Sequence, residues 1–365
     1  MIPTFRVIVP AGGSGTRLWP LSRAAAPKFL LDMTGSGRTL LQATVDRLRP
    51  LAGPDGVVVV TGTKHERDVL AQLDVSRANV LAEPSPRGSM AAIGLAAAVL
   101  AEREGDVVVG SFAADHVISG EGFADAVRQA VVAAREGYVV TVGIQPTHPS
   151  TGFGYVRAGE PLDLAGAPDV HLAPGFTEKP DARTAAEYVD SGEYFWNAGM
   201  FVVRAEVLLG HLERLLPDLH HGLRVIAATW DTDRKWEAVE RHWAGLQNIA
   251  IDHAIAEPVA AEGGVAVVPG DFRWDDVGDF STLAAMLPAD DSGMHVLGAA
   301  SRVVAVDTLD GLVVPGTGRT VAVLGLDDVV VVDTPDAVLV TTRERAQDVR
   351  AIVDALAAAR RTELL

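Results

Sequence analysis

Residues 5–18, Phe-Arg-Val-Ile-Val-Pro-Ala-Gly-Gly-Ser-Gly-Thr-Arg-Leu, constrain this chain more than any other stretch. Phe5 to Val9 is a short apolar run with β-branched residues, closed by Pro10 and Gly12, and reads as a buried parallel strand. It runs straight into Gly12, Gly13 and Gly15. Glycine permits positive φ and a close approach of ligand to backbone. Successive exposed N–H groups in such a turn form a concavity for anions. The backbone of Ala11, Gly12, Gly13, Ser14, Gly15 and Thr16 is therefore a candidate phosphate cradle. Arg17 and Lys28 add fixed positive charge beside it, Arg17 with a fork suited to phosphate oxygens.

Two familiar glycine loops are excluded. The Walker pattern needs four residues between its glycines and a Gly-Lys-Ser/Thr ending, which is absent. The dinucleotide pattern needs a further glycine where Leu18 stands, which counts against a nicotinamide dehydrogenase. A plain tight turn would explain a bare Gly-x-Gly, but not Arg17, Trp19-Pro20, Ser22-Arg23 and Pro27-Lys28 together.

The charge balance narrows the ligand. With 31 basic and 48 acidic residues the net charge is −17, which repels a polyphosphate backbone and argues against nucleic acid. Small anions must then be bound by local cations and a metal. There is no cysteine, so thiolate chemistry, disulfides and cysteine metal sites are excluded. No apolar run approaches the ~18 residues of a membrane span and no secretory leader is legible, so a cytoplasmic protein is expected. The length of 365 residues suggests two domains of about 100–200 residues each.

Helical spacing over Thr39–Arg49, Lys64–Leu73, Ser89–Arg103 and Gly122–Glu136 alternates with apolar strand runs at Gly56–Thr61, Asn79–Ala82, Asp106–Phe112 and Tyr138–Ile144. Such alternation predicts a doubly wound parallel sheet with right-handed crossovers. Ligands collect beyond the carboxyl ends of such strands. Three polar clusters fall there: the glycine loop, Glu83–Ser89 and Asp115-His116. Further on, Gly152 and Gly154 flank Phe153, as where backbone meets a ligand or a strand bends. Phe176-Thr177-Glu178-Lys179-Pro180 ends a strand on opposite charges, and Trp196-Asn197-Ala198-Gly199-Met200-Phe201 is an apolar strand with one embedded amide. Helical patterns follow between Ala205 and Trp243 and over Ile251–Ala256, with a strand at Val265–Val268.

Past Pro288 the composition changes. Pro288–Gly293 reads as a linker, and His295–Val340 is valine-rich with frequent Gly and Asp turns, a small β domain suited to a β-helix-like stack. Arg343–Ala359 closes the chain as an amphipathic helix. The expected domains are thus 1–288 and 289–365.

Taken singly, the polar residues leave alternatives open. Asp115 reads equally as a helix-capping carboxylate or a site residue. Glu178-Lys179 reads by default as a solvated surface pair, and Asn197 as a satisfied core amide. The histidines lack zinc-ligand spacing. Of the tryptophans, Trp19, Trp196 and Trp274 stand out because each adjoins a motif.

The run Gly12–Arg23 followed by Pro27-Lys28 resembles the signature of the sugar-nucleotide pyrophosphorylases, and Trp19-Pro20-Leu21-Ser22-Arg23 resembles their mannose-1-phosphate guanylyltransferase branch. The resemblance covers essentially the whole chain. It implies a Rossmann-like doubly wound mixed sheet as the nucleotidyltransferase domain and a small C-terminal β-rich domain; as the chain ends soon after the β region, no isomerase domain is expected. It also implies a homodimer that joins GTP and mannose 1-phosphate into GDP-mannose and pyrophosphate. A heptose 1-phosphate guanylyltransferase or a non-catalytic sugar-nucleotide-sensing subunit is the alternative.

The resemblance further implies roles. Asp115, in Ala-Asp-His, and Asp276, in Trp-Asp-Asp-Val-Gly, correspond to the carboxylates that hold Mg²⁺. Glu178 and Lys179 correspond to contacts to the sugar hydroxyls and sugar phosphate, and Asn197 to the sugar-binding amide, with Gly152 and Gly154 beside them. Glu83, Arg87 and Ser89 correspond to the segment that reads guanine. Gly88, Met90 and Ala91 depart from the Asn, Ala and Pro usual in the family, and Phe29 from the usual Gln.

Overall fold

The computed structural model describes residues 1–13 and 15–365 as two compact units. The first unit comprises Met1–Ala11, Val45–Ala114 and Ile118–Trp274; the second comprises Gly12–Thr44, Asp115–Val117 and Asp275–Leu365.

The first unit is built on a ten-stranded sheet. Eight strands run in the order Val80–Glu83, Val57–Gly62, Phe5–Ala11, Val108–Ser111, Tyr194–Arg204, Val139–Ile144, Val265–Gly270 and His171–Leu172, and off this path Gly154–Arg157 pairs with Tyr194–Arg204 and with Gly175–Thr177. The first four strands are mutually parallel, as their mostly apolar runs alternating with helices predict. Tyr194–Arg204 then enters antiparallel between Val108–Ser111 and Val139–Ile144, which makes the sheet mixed.

Side-chain alternation assigns the two faces. Ile8, Val58, Val60, Val109, Val139, Phe201, Val203, Val265 and Val267 share a core with the alanine-rich helix Gly88–Glu104 and helices Ala205–Leu215 and Pro217–Thr229. Their neighbours Phe5, Val7, Val9, Val140 and Val142 are buried toward the other face. The helix Phe123–Arg135 packs on the strands Val139–Ile144, Tyr194–Arg204 and Val265–Gly270. Both faces are therefore covered.

The second unit contains a parallel β stack, as the valine-rich segment predicts. His295–Val296, Leu312–Pro315 and Val329–Asp333 pair in parallel, and Val338–Thr342 closes that layer antiparallel. Val303–Val306 and Val321–Leu324 form a second parallel pair. Val313, Val323, Val329 and Val331 fill the interior of the stack with Met294. Leu312, Val314, Val330 and Val332 pack instead on Leu18, Trp19, Val277, Phe280 and Leu283.

That second core explains why the units differ in extent from the expected 1–288 and 289–365. The apolar side chains of the glycine-loop segment are buried against the β stack, so residues 12–44 belong with the C-terminal part. The C-terminal helix runs over Val349–Ala358, shorter than expected, because a 3₁₀ turn at Ala346–Asp348 precedes it. No helix among the described residues is long and apolar enough to cross a membrane.

Candidate active site

The strand Phe5–Ala11 ends at buried Ala11, whose carbonyl accepts the Thr61 hydroxyl at 2.9 Å. Gly12 and Gly13 follow as exposed backbone, Gly13 at φ +86°. Ser14 lies outside the described residues. Gly15 is the glycine that the turn demands: it sits at φ +58°, and a Cβ there would come within 2.7 Å of Ser22 Oγ. It precedes the 3₁₀ turn Thr16–Leu18, where Leu18 N–H donates to the Gly15 carbonyl at 2.9 Å. Phe29 is fully buried, so the position next to Lys28 serves the core.

Lys28 gathers the candidate metal residues of the second unit. Its ammonium pairs with Asp115 Oδ2 at 2.9 Å and donates to the main-chain carbonyl of Asp276 at 2.6 Å. Asp275 and Asp276 differ in their bonding. Asp275 Oδ1 accepts the Val277 N–H at 2.6 Å, and burial pushes its carboxyl up to about 6. The Asp276 side chain has no hydrogen bond or ion pair among the described residues. Arg17 lies close by: a Cβ on Gly278 would meet Asp276 Oδ1 at 3.3 Å and Arg17 Nη2 at 3.6 Å. Arg17 Nη1 donates to Gln347 Oε1 at 2.8 Å. No cluster of three or more His, Asp or Glu able to hold a metal occurs among the described residues. Two carboxylates leave a hard cation free to keep waters and take substrate oxygens, which is how Mg²⁺ is commonly bound. The donor set fits that ion.

In the first unit, Glu83 ends the strand Val80–Glu83 largely buried, and its Oε1 has no hydrogen-bond partner. Burial raises its carboxyl to about 7, because the charged form loses its water. Arg87 directly precedes the helix Gly88–Glu104, its Nε buried without a partner. Ser89 Oγ accepts the Ile251 N–H at 3.0 Å, and Met90 N–H donates to the Ile249 carbonyl at 3.2 Å. Gly88 sits at φ +77°, where any Cβ would collide with that Ile249 carbonyl. The departure from the family's Asn is thus matched by the close approach of residue 249. Trp243 donates its indole N–H to the Ser85 carbonyl at 2.8 Å, a support that no motif signalled.

Gly154, Glu178 and Asn197 converge in the same unit. A Cβ on Gly154 would collide with Glu178 Oε2 and lie 3.3 Å from Asn197 Cβ. Asn197 Oδ1 accepts from the Thr141 hydroxyl at 2.8 Å and Gly199 N–H at 3.2 Å; Nδ2 donates to Asp252 Oδ1 at 2.7 Å. The register shift of the strand between Asn197 and Phe201 accompanies this bonding. Asp252 lies on a π-helical turn, Asp252–Ala256, a feature often found at functional sites. Burial first, then the nearby Glu178, pushes its carboxyl above the usual range. Sequence reasoning missed Asp252, which carries no signature beyond a helical pattern. Lys179, at φ +50°, pairs with Glu178 Oε1 at 2.7 Å and is 63% exposed. Gly152 is not drawn in: it lies exposed in a turn with its N–H on Ser150 Oγ at 3.2 Å. Trp196 and Trp274 both pack edge-on against Phe153, with ring centroids 5.1 Å apart.

Known proteins resemble the chain along nearly all of its length. The nucleotidyl transferase family model matches residues 6–292, and the MannoseP isomerase/GMP-like β-helix domain matches residues 301–356. A mannose-1-phosphate guanylyltransferase of Escherichia coli K12 is 37% identical over 366 residues, 98% of this chain and 74% of that protein. The xanthan biosynthesis protein XanB of Xanthomonas campestris is 37% identical over 361 residues, again 98% of this chain and 74% of that protein. A crystal structure from Thermus thermophilus, named mannose-1-phosphate geranyltransferase, superposes with a TM-score of 0.85 at 34% identity. The match covers 97% of this chain and 99% of that one. The chain belongs to the nucleotidyl transferase family, among members that carry the MannoseP isomerase/GMP-like β-helix domain.

Proposed function

We propose that this protein makes GDP-mannose and pyrophosphate from GTP and mannose 1-phosphate. The names of its relatives support the substrates. The observation that carries the chemistry is Lys28, whose ammonium touches both the Asp115 carboxylate and the Asp276 main chain beside the glycine turn. In an acidic protein, a cation gathered with two candidate metal-ligand residues supports a phosphate site here.

The sugar phosphate is itself the nucleophile. One of its oxygens forms a bond to the α-phosphorus of GTP as the bond from that phosphorus to the bridging oxygen of pyrophosphate breaks. A phosphate dianion needs no general base, so the protein must overcome repulsion between anions and hold the reacting atoms in line. Arg17 and Lys28 neutralise the triphosphate and the leaving group, and the backbone of residues 11–16 cradles it. Glu83, with Arg87 and Ser89, reads guanine by accepting from its N1–H and N2–H₂. Asn197 and Glu178 hold sugar hydroxyls, and Lys179 the sugar phosphate. Mg²⁺, held by Asp115 and Asp276, would supply further charge neutralisation at the phosphates.

The test is formation of GDP-mannose against Mg²⁺ concentration for wild type, Asp115→Asn, Asp276→Asn and the double variant. Each single variant should lose nearly as much as the double, since residues that act as a unit are non-additive. Full activity in chelator, or losses that multiply in the double variant, would overturn the reading.

A further inference from the structure

We propose that Gln347 is a positioning residue for Arg17, a neutral tether that fixes the guanidinium while leaving its charge available to the nucleotide. The inference rests on the proposed role of Arg17 at the triphosphate.

Gln347 lies in the 3₁₀ turn Ala346–Asp348, 330 residues from Arg17 in sequence, and both belong to the second unit. Its amide makes two bonds, one at each end. Oε1 accepts from Arg17 Nη1 at 2.8 Å, and Nε2 donates to Asp279 Oδ2. The chemistry of the partners sets this orientation. A guanidinium only donates and an ionised carboxylate only accepts, so a flipped amide would lose both bonds. Asp279 is a firm anchor for the chain of contacts. It is 3% exposed and caps the helix Phe280–Met286, with Oδ1 accepting from Ser281 N–H at 2.7 Å and Thr282 N–H at 3.0 Å. The tether thus runs from a capped helix start through a buried carboxylate and an amide to the guanidinium.

An amide is the informative residue type here. A carboxylate at position 347 would hold Arg17 equally well in space but would pair with its charge, competing with phosphate oxygens. Arg17 forms no ion pair among the described residues. Other contacts of the same segment hold its frame rather than its charged head. Trp19 Nε1 donates to the Leu364 carbonyl at 2.7 Å, and Arg23 Nη1 bonds Asp336 Oδ2 at 2.7 Å. Gln347 alone among these reaches the guanidinium of Arg17.

The experiment measures kcat/KM for GTP and for mannose 1-phosphate in wild type, Gln347→Ala, Gln347→Glu, Arg17→Lys and the Gln347→Ala/Arg17→Lys double variant. Melting temperature is followed for each. Displacing a group that holds substrate can cost up to about a hundredfold, so Gln347→Ala should lower kcat/KM for GTP by about tenfold to a hundredfold. Gln347→Glu should lose more than Gln347→Ala despite its closer shape, because it adds a charge facing both Arg17 and Asp279. In the Arg17→Lys background, Gln347→Ala should change kcat/KM by no more than about twofold, the scatter expected for uncoupled sites. Gln347→Met, which keeps the length without the hydrogen bonds, replaces the alanine variant should that one not fold. The tether is overturned if Gln347→Ala matches wild type while Arg17→Lys is impaired, or if the two losses multiply. Wild-type kinetics in Arg17→Lys would overturn the nucleotide role of Arg17 itself and the tether with it.

Discussion

Replacing Glu83 by Gln separates base recognition from phosphate binding, because the burial of this carboxyl gives it its own pH signature. In the free protein the group is raised to about 7 by loss of hydration, and its Oε1 is unpartnered. Guanine offers two donors, N1–H and N2–H₂, and only the ionised carboxylate can accept both. With the pKa of Glu83 at about 7, the ionised fraction falls from about nine-tenths at pH 8 to about one-tenth at pH 6, so the apparent KM for GTP should rise roughly tenfold. The sign follows from the raised value: the binding-competent form is lost as pH drops through it. The assay is initial pyrophosphate release at saturating mannose 1-phosphate, with GTP varied at each pH. Both substrates also titrate in this range, so the wild-type profile is divided by that of Glu83→Gln, which shares those titrations. Parallel profiles for the two proteins would refute the assignment of Glu83 to the base.

Arg17→Ala and Lys28→Ala should each lower turnover by a factor on the order of 10²–10³ with the circular dichroism spectrum retained, the usual cost of one charge-stabilising contact; wild-type turnover in both would remove the phosphate assignment. Asn197→Ala strips partners from Thr141, Gly199 and Asp252 and should cost about 1–3 kcal/mol in urea denaturation. It should also raise KM for mannose 1-phosphate while KM for GTP holds, and an equal rise in both would contradict the sugar role.

Much of the fold was legible because its signals are local. Phe5–Ala11, Val57–Gly62, Val80–Glu83 and Val108–Ser111 are short, mostly apolar runs, and runs of that kind belong to strands buried on both faces. The direction of Tyr194–Arg204 was not legible, since an apolar strand reads the same in either sense, and its place beside Val108–Ser111 depends on long-range pairing. The extent of the units was hidden for a similar reason. Leu18, Trp19 and Val277 are ordinary apolar residues in sequence, and only packing joins them to Val330 and Val332.

The candidate site divides the same way. Gly15, Lys28, Asp115 and Asp276 sit in motifs that marked them as candidates, although Asp115 taken alone reads equally as a helix cap. Gln347, Asp252 and Trp243 do not, because an amide, a helical carboxylate and a buried indole are each common, and their meaning comes from partners 330, 55 and 158 residues away. Asp275 and Asp276 show the limit most plainly. Adjacent and identical in type, they are ranked in sequence only by the family resemblance, whereas in the structure Asp275 alone accepts a hydrogen bond from Val277.

The most direct test of the central claim is a matrix of kcat/KM for GTP, ATP and UTP against mannose 1-phosphate and heptose 1-phosphate, with the sugar nucleotide product identified in each case. The largest value is expected for GTP with mannose 1-phosphate, accompanied by one GDP-mannose per pyrophosphate. A larger value for another pair, or pyrophosphate release without a sugar nucleotide, would contradict it.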